Sequence, residues 1–433
     1  MVSRCLLLVS ALAVVGSSNP LGTSSVDANH DGQRWIGTWA TAAQPARPAD
    51  ALHFRNQTLR LIVHTSAGGR KLRIKLSNTF GDRPLVIGSA HVARRVAAAD
   101  IEPSSDRSLM FQGHATTTIL ARSIVISDPV DLEVPALSDL AISLFFPQTA
   151  VALTSHSLAL QTNYVSGETG DSSAEATFPV AKTIVSWPFL TGVDVMASSR
   201  GGAIVAFGSS TTDGDGSTKD ANRRWPDVLA ERLHEGSDGT TELGVLNEGI
   251  IGNRLLHDSP RQANNPYGPV LGQAGLTRFA RDVLAQSGVK YVFVCLGVND
   301  ILFPAFPFTP PTERVTAARI ITGYRRLITD ARQKGIRAIG TTIPPFEGAT
   351  FSGAGLNLTF YTPEREGARQ AVNDWIRNGG EFDAVVDFDE VLRDPGRPTQ
   401  LLPAFASEDH LHVNDAGNVA QGHAIPLALF RTD

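Results

Sequence analysis

A chain of 433 residues with 38 basic and 43 acidic side chains carries a formal net charge of −5, which excludes the polybasic surface that a nucleic-acid backbone demands. Apolar residues at 42 % and charged residues at 19 % are enough to fill large cores and rule out wholesale disorder. At roughly 150 residues per domain the length admits two or three domains, and composition alone names no chemistry.

In chain order, a short basic start from Met1 to Arg4 leads into an apolar run, Cys5 to Val15, and then into Gly16, Ser17, Ser18 and Asn19. That order predicts a secretory signal peptide over residues 1–20, and hence a secreted or periplasmic protein. The run is shorter than the ~20 residues that span a bilayer, and no later stretch is apolar enough for a stable membrane anchor. With Cys5 in the signal, Cys295 stands alone in the mature chain, so stability rests on core burial and not on a disulfide. Set in the apolar run Tyr291 to Leu296, Cys295 reads as a buried, inert thiol.

Residues 33–195 have period two. Leu59, Leu61 and Val63 alternate with Arg60 and Ile62, Ser66 to Gly69 mark a turn, and Leu72, Ile74 and Leu76 alternate with Arg73 and Lys75, which predicts a hairpin with one buried face. Further strands are expected at Thr117 to Ile126, Leu140 to Phe146 and Leu158 to Val165. Short strands between Gly, Pro, Ser and Asp turns, with no long helix, predict an antiparallel β-sandwich or jelly roll.

The small residues from Met196 to Gly202 form a bridge, after which apolar strands alternate with helices over 201–433. The strands are expected at 203–207, 243–247, 291–296, 338–343 and 384–388. The helices begin at Trp225, pass through Leu276 to Leu284 and Val315 to Leu327, and begin again at Thr362 with Pro363 at its first position. Strands of this kind joined by helices predict an open parallel sheet covered on both faces, with its ligand site at the carboxyl ends of the strands.

Those ends carry polar clusters that packing does not require: Phe207 to Gly214, Asn247 to Asn253, Gly297 to Asp300, and Asp409 to Asn414 near the end of the chain. Ser210, on a glycine-containing turn, is a poor nucleophile without a base. His412 is the candidate base, and Asp409, three residues earlier, can hold its tautomer. Thr211, Thr212 and Asp213 read as turn and cap residues, Asp300 as a hydrogen-bonding support, His410 as a neighbour of the site and His423 as a packing residue. Arg223 and Arg224 read as a solvated helix start. The apolar segment Ile301 to Phe308 either lines the pocket or packs against the β domain. The histidines near Asp409 lack a second cluster with zinc-like spacing, so no metal is expected.

With these four blocks in order, residues 201–433 resemble the SGNH hydrolases, also called the GDSL esterase and lipase family. The segment Trp35 to Thr41 is similar to the amino-terminal β domain of secreted members. The resemblance implies a flavodoxin-like α/β/α sandwich with Ser210 as nucleophile and His412 and Asp409 completing the triad. It also implies an oxyanion hole made by the N–H groups of Ser210 and Gly252 and the side-chain amide of Asn299, with no cofactor and no metal. Ser209 departs from the family pattern, which has aspartate there. The activity implied is hydrolysis of a small-molecule or polysaccharide ester. Acyl transfer to a sugar or alcohol, and a catalytically silent polysaccharide-binding protein, are the alternatives that product analysis and fluorophosphonate labelling separate.

Overall fold

The computed structural model describes residues 32–235 and 242–431; the expected signal peptide, 1–20, lies outside them. The amino-terminal half is built of two antiparallel sheets. In one, the strands run in the order Gln33–Ala40, Leu190–Ser198, Gly69–Ser77, with Ile124–Ile126 and Val130–Val134 both pairing to Gly69–Ser77. The other runs Val180–Ile184, Asn163–Ser166, Gln57–His64, Asp139–Phe146, Ser89–Ala97. Alternate side chains of both sheets meet in one core, where Leu61, Ile74, Ile142 and Phe146 have no solvent contact.

The alternating runs at 59–63 and 72–76 are strands, but not the expected hairpin. Gln57–His64 pairs with Asp139–Phe146 and Asn163–Ser166, whereas Gly69–Ser77 pairs with Leu190–Ser198. The intervening turn passes the chain from one sheet to the other. Period two reports which side chains share a face and not which strand lies alongside; both runs point into the same core. Nor is the outer side of Gln57–His64 wet. Arg60 is buried there beneath Phe178 and donates to Ser143 Oγ and to the carbonyls of Ala99 and Glu175. The run at 117–126 divides into Thr117–Ile119 and Ile124–Ile126 about Arg122, whose φ is 62°, and of 158–165 only the end joins the strand Asn163–Ser166.

Leu190–Ser198 extends three residues past position 195, so the connection shortens to 199–201. Beyond it the sheet is parallel, ordered Leu243–Gly249, Gly202–Gly208, Val289–Cys295, Arg337–Thr341, Ala384–Val386. In chain order that is 2-1-3-4-5, the flavodoxin-like arrangement with its crevice beside the first strand. Gly202–Gly208 is buried along its whole length because helices cover both faces. Ile204 and Ala206 pack with Trp225, Leu229 and Leu233 of the helix Trp225–Glu235, while Val205 and Phe207 pack with Phe279, Ile320 and Tyr324.

Thr316 caps the helix Ala317–Gln333 and Thr362 caps Pro363–Asn378, each accepting an N–H from three residues on, the usual remedy for the open donors of a first turn. The last strand ends earlier than expected. Asp387 accepts the N–H of Glu390 and caps the short helix Phe388–Leu392, so Phe388 packs on Trp225 from a helix and not from a strand.

The two halves touch closely. The Gly37 N–H donates to Ser287 O at 2.9 Å, and the Val245 N–H donates to Ser66 Oγ at 2.8 Å. A Cβ at Gly244 would stand 1.9 Å from Gly37 O, so the approach demands glycine.

Candidate active site

The strand Gly202–Gly208 delivers Ser210 to the crevice. Thr212 folds back so closely that a Cβ at Gly208 would meet its Oγ1 at 2.1 Å, and the one-turn helix Ser210–Asp213 starts at once. Ser210 is only 5 % exposed. Ser209, preceding it in extended conformation, accepts no capping N–H, and its buried hydroxyl finds no hydrogen-bond partner among the described residues. Its position relative to Ser210 is therefore set by the backbone.

His412 Nε2 lies 2.8 Å from Ser210 Oγ, and His412 Nδ1 lies 2.5 Å from Asp409 Oδ2. Because a carboxylate accepts at Nδ1, the neutral ring carries its proton there and leaves Nε2 free to accept from the serine. The other Asp409 oxygen accepts the N–H groups of Leu411 and His412, both at 3.0 Å, which clamps the loop around the ring. Burial alone would push the imidazole down, but the hydrogen bond to Asp409 and the charges of Asp215 and Asp409 outweigh it and raise His412 above the ordinary 6.5. Burial likewise acts upward on Asp409, yet its bonds to His412 and Leu411 bring it down to about 2.

The remaining expected residues sit beyond the ends of the two strands that flank Gly202–Gly208. Gly252 adopts a φ of 69° in the loop after Leu243–Gly249. Asn299 sits in the short helix Val298–Leu302, 7 % exposed, and its Nδ2 donates to Asn253 O at 3.0 Å. Asp300 is the support expected of it: its two oxygens accept the N–H groups of Leu255 (2.7 Å) and Leu256 (2.9 Å). Burial pushes Asp300 up to about 6 against those two donors. Asn299 and Asp300 together tie the third strand end to the loop bearing Gly252.

Beside Ser210 and Asn299 is a pocket of about 30 Å³, bounded by Thr211, Cys295, Thr341, Ile343, Pro344 and Leu411. Burial pushes the Cys295 thiol up to about 11, so it carries no thiolate at neutral pH. None of Ile301 to Phe308 is among the residues lining this pocket. The ring contacts of that segment lie within the α/β half. Phe306 packs on Phe308, Phe351 and Phe360 of the α/β half, because aromatic rings at 351 and 360 offer a core within reach.

Arg224 is not solvated: it is 9 % exposed, bonds to Ala159 O and lies 5.7 Å over Trp187, bridging to the β half. His410 and His423 are exposed, so His423 has no packing role. Among the described residues no group of three or more His, Cys, Asp or Glu is arranged to hold a metal ion.

Three residues escaped the sequence reading. Arg278 is fully buried and joins the strand ends: Nη2 donates to Gly208 O (2.8 Å), Nη1 to Glu248 O (2.8 Å) and Nε to Asn253 Oδ1 (3.0 Å), with Asp282 as its ion-pair partner at 3.1 Å. Its signal was a lone arginine on the apolar face formed by Phe279 and Val283, with Asp282 four residues on. His156, from the β half, is buried with Nδ1 facing Ala42 O (3.0 Å) and Nε2 facing Asp213 Oδ1 (2.9 Å), so Asp213 is more than a turn residue and anchors the helix Ser210–Asp213 to the other half. Asp215, flanked by Gly214 and Gly216, reaches His412; nothing in the sequence marked the pair.

The profile of the GDSL-like Lipase/Acylhydrolase family matches residues 206–420. Among solved structures the chain is similar to an aryl esterase of M. smegmatis, 20 % identical over 53 % of this chain and 96 % of that one, with a TM-score of 0.37. It is also similar to a GDSL-like lipase of Bacteroides thetaiotaomicron VPI-5482, 16 % identical over 52 % and 87 % of the two chains, with a TM-score of 0.34. A third is an acetyl xylan esterase, 18 % identical over 51 % and 96 %, with a TM-score of 0.36. No curated protein matches the chain.

Proposed function

Through residues 206–420 the chain belongs to the GDSL-like lipase/acylhydrolase family and is an ester-hydrolysing enzyme, and on that premise we propose that it cleaves short-chain carboxylic esters through an acyl-enzyme on Ser210. Ser210 Oγ attacks the ester carbonyl carbon as its proton passes to His412 Nε2. The carbonyl oxygen takes up the negative charge among the N–H groups of Ser210 and Gly252 and the Nδ2 of Asn299, neutral donors that do not titrate away. Collapse of this intermediate breaks the ester C–O bond, and Nε2–H protonates the departing alcohol. Water then attacks the acyl-enzyme with the same base, releasing the acid and restoring Ser210. Asp409 keeps the ring oriented and favours the imidazolium in both halves of the cycle.

The observation that carries this reading is the continuous hydrogen-bond chain from Ser210 Oγ through His412 to Asp409, at 2.8 and 2.5 Å. The pocket of about 30 Å³ beside it is on the scale of one or two water molecules, which supports an acyl group of acetyl size on a small alcohol or a polysaccharide. The signal-like residues 1–20 support export to an extracytoplasmic substrate, and we divide the exported chain into a β domain over 33–198 and a catalytic domain over 202–433.

Ser210→Ala tests the reading on p-nitrophenyl esters of increasing acyl length. The variant is expected to fold, to lose at least about a thousandfold in kcat and to lose fluorophosphonate labelling, while the wild-type rate falls from acetyl to longer chains. Undiminished hydrolysis by the folded variant would sink the assignment.

A further inference from the structure

The turn that closes the nucleophile's helix carries one polar side chain between two glycines. Gly214 has φ 106° and Gly216 has φ 92°, left-handed conformations that glycine adopts without strain. The Asp215 N–H donates to Ser210 O at 2.9 Å, which folds the turn onto the nucleophile itself. A Cβ at Gly216 would stand 2.5 Å from both Ser407 Oγ and Val413 O, so the turn lies directly against the loop that holds His412. The Asp215 carboxylate is thereby brought to 3.6 Å from His412 Nε2, with a third of its side chain open to solvent. Among the described residues no other hydrogen bond or ion pair engages that carboxylate.

We propose that Asp215 is a second carboxylate partner of His412, a positioning residue set against the nitrogen that faces Ser210, where it favours the imidazolium formed during acyl transfer. The inference rests on His412 being the base of the reaction. Asp409 acts at Nδ1 and fixes the tautomer; Asp215 acts at Nε2, the side on which the proton arrives. When Nε2 accepts the serine proton, the new positive charge lies beside Asp215, and the attraction persists until Nε2–H passes its proton to the departing alcohol. Asp215 itself exchanges no proton. The groups whose charge bears on the ring are Asp409 from its own loop and Asp215 from the turn after the nucleophile's helix, and both raise its proton affinity.

The test is the pH dependence of kcat/KM on p-nitrophenyl acetate for the full chain, comparing wild type, Asp215→Asn and Asp215→Glu, with thermal unfolding of each. Removing the negative charge lowers the proton affinity of His412, so the acid limb of Asp215→Asn is expected at lower pH than that of wild type. Its plateau kcat is expected to fall about fivefold, the worth of two unit charges near 4 Å under solvent screening, with KM unchanged. Asp215→Glu is expected to return the limb toward its wild-type position. An Asp215→Asn limb that stays in place or moves to higher pH overturns the proposal, even with a lower melting temperature, because mere loss of packing leaves the titration of His412 where it was. A wild-type profile flat from pH 5 to 8, roughly the range where histidine titrates, would remove His412 as base and this proposal with it, whereas a wild-type limb that ignores residue 215 removes this proposal alone.

Discussion

Arg278→Lys probes how the three strand ends are held in register, and its effect follows from the contacts of one guanidinium. Arg278 serves Gly208 O, Glu248 O, Asn253 Oδ1 and Asp282 from three nitrogens, at 2.8 to 3.1 Å, with no solvent contact. Its Cζ also lies 4.1 Å from the centroid of the Phe207 ring. A lysine keeps the charge but ends in one nitrogen that cannot reach opposite edges of the fork. Gly208 O keeps the Ile250 N–H at 3.2 Å as a second donor, so the loss falls on the bonds to Glu248 O and Asn253 Oδ1, at about 0.5–1.5 kcal/mol each, a loss of about 1–3 kcal/mol. Against a usual total of about 5–15 kcal/mol, the variant remains folded. Asp282 keeps Arg281 as a partner at 2.6 Å, so no carboxylate is stranded.

The functional loss is larger than the stability loss suggests. Gly208 O lies two residues before Ser210, and Asn253 follows Gly252, so Arg278 sets the spacing between the proposed nucleophile and the proposed oxyanion donors. Displacements near 1 Å in such constellations reduce rate by about a hundredfold. Urea unfolding followed by tryptophan fluorescence, together with kcat and KM on p-nitrophenyl acetate, measures both effects. A variant whose unfolding midpoint and kcat match the wild type would refute this reasoning, since four contacts to one buried group would then carry no energy.

Two other outcomes are expected. Asn299→Ala removes one proposed oxyanion donor and should lower kcat about a hundred- to a thousandfold; because Asn253 O also loses its donor, the unfolding free energy should fall by about 1 kcal/mol. Activity should rise with pH along an acid limb set above 6.5: as the proposed base, His412 works only when neutral, and its proton affinity is raised by Asp409 and Asp215. A stopped-time assay from pH 5 to 9 reads that limb, and a midpoint below that of free histidine would contradict it.

Much of this architecture was legible without coordinates because the signals are local. The helix cap at Thr362 follows from the open donors of a first turn, which reaches its own cap within three residues. The parallel sheet followed from apolar runs alternating with helical periods, and the polar clusters at 207–214, 247–253 and 297–300 marked the strand ends around the crevice. Asp409 and His412 are three residues apart, so one turn suffices to join them.

What escaped is of another kind. The runs at 59–63 and 72–76 declared their core-facing side chains but not their neighbours, since alternation is a property of one strand whereas pairing depends on how the whole chain closes. The ring of His412 meets Ser210 across 202 residues. Arg278 looks like a misplaced charge until three strand ends surround it, and His156 and Asp213, 57 residues apart, become partners only where the β half meets the helix Ser210–Asp213. Sequence by itself determined the elements and the residue types offered at the crevice, because both depend on periods and caps a few residues long. Only the tertiary structure decided which groups share protons and charge, because hydrogen bonds and ion pairs act over a few ångströms of space whatever their separation along the chain.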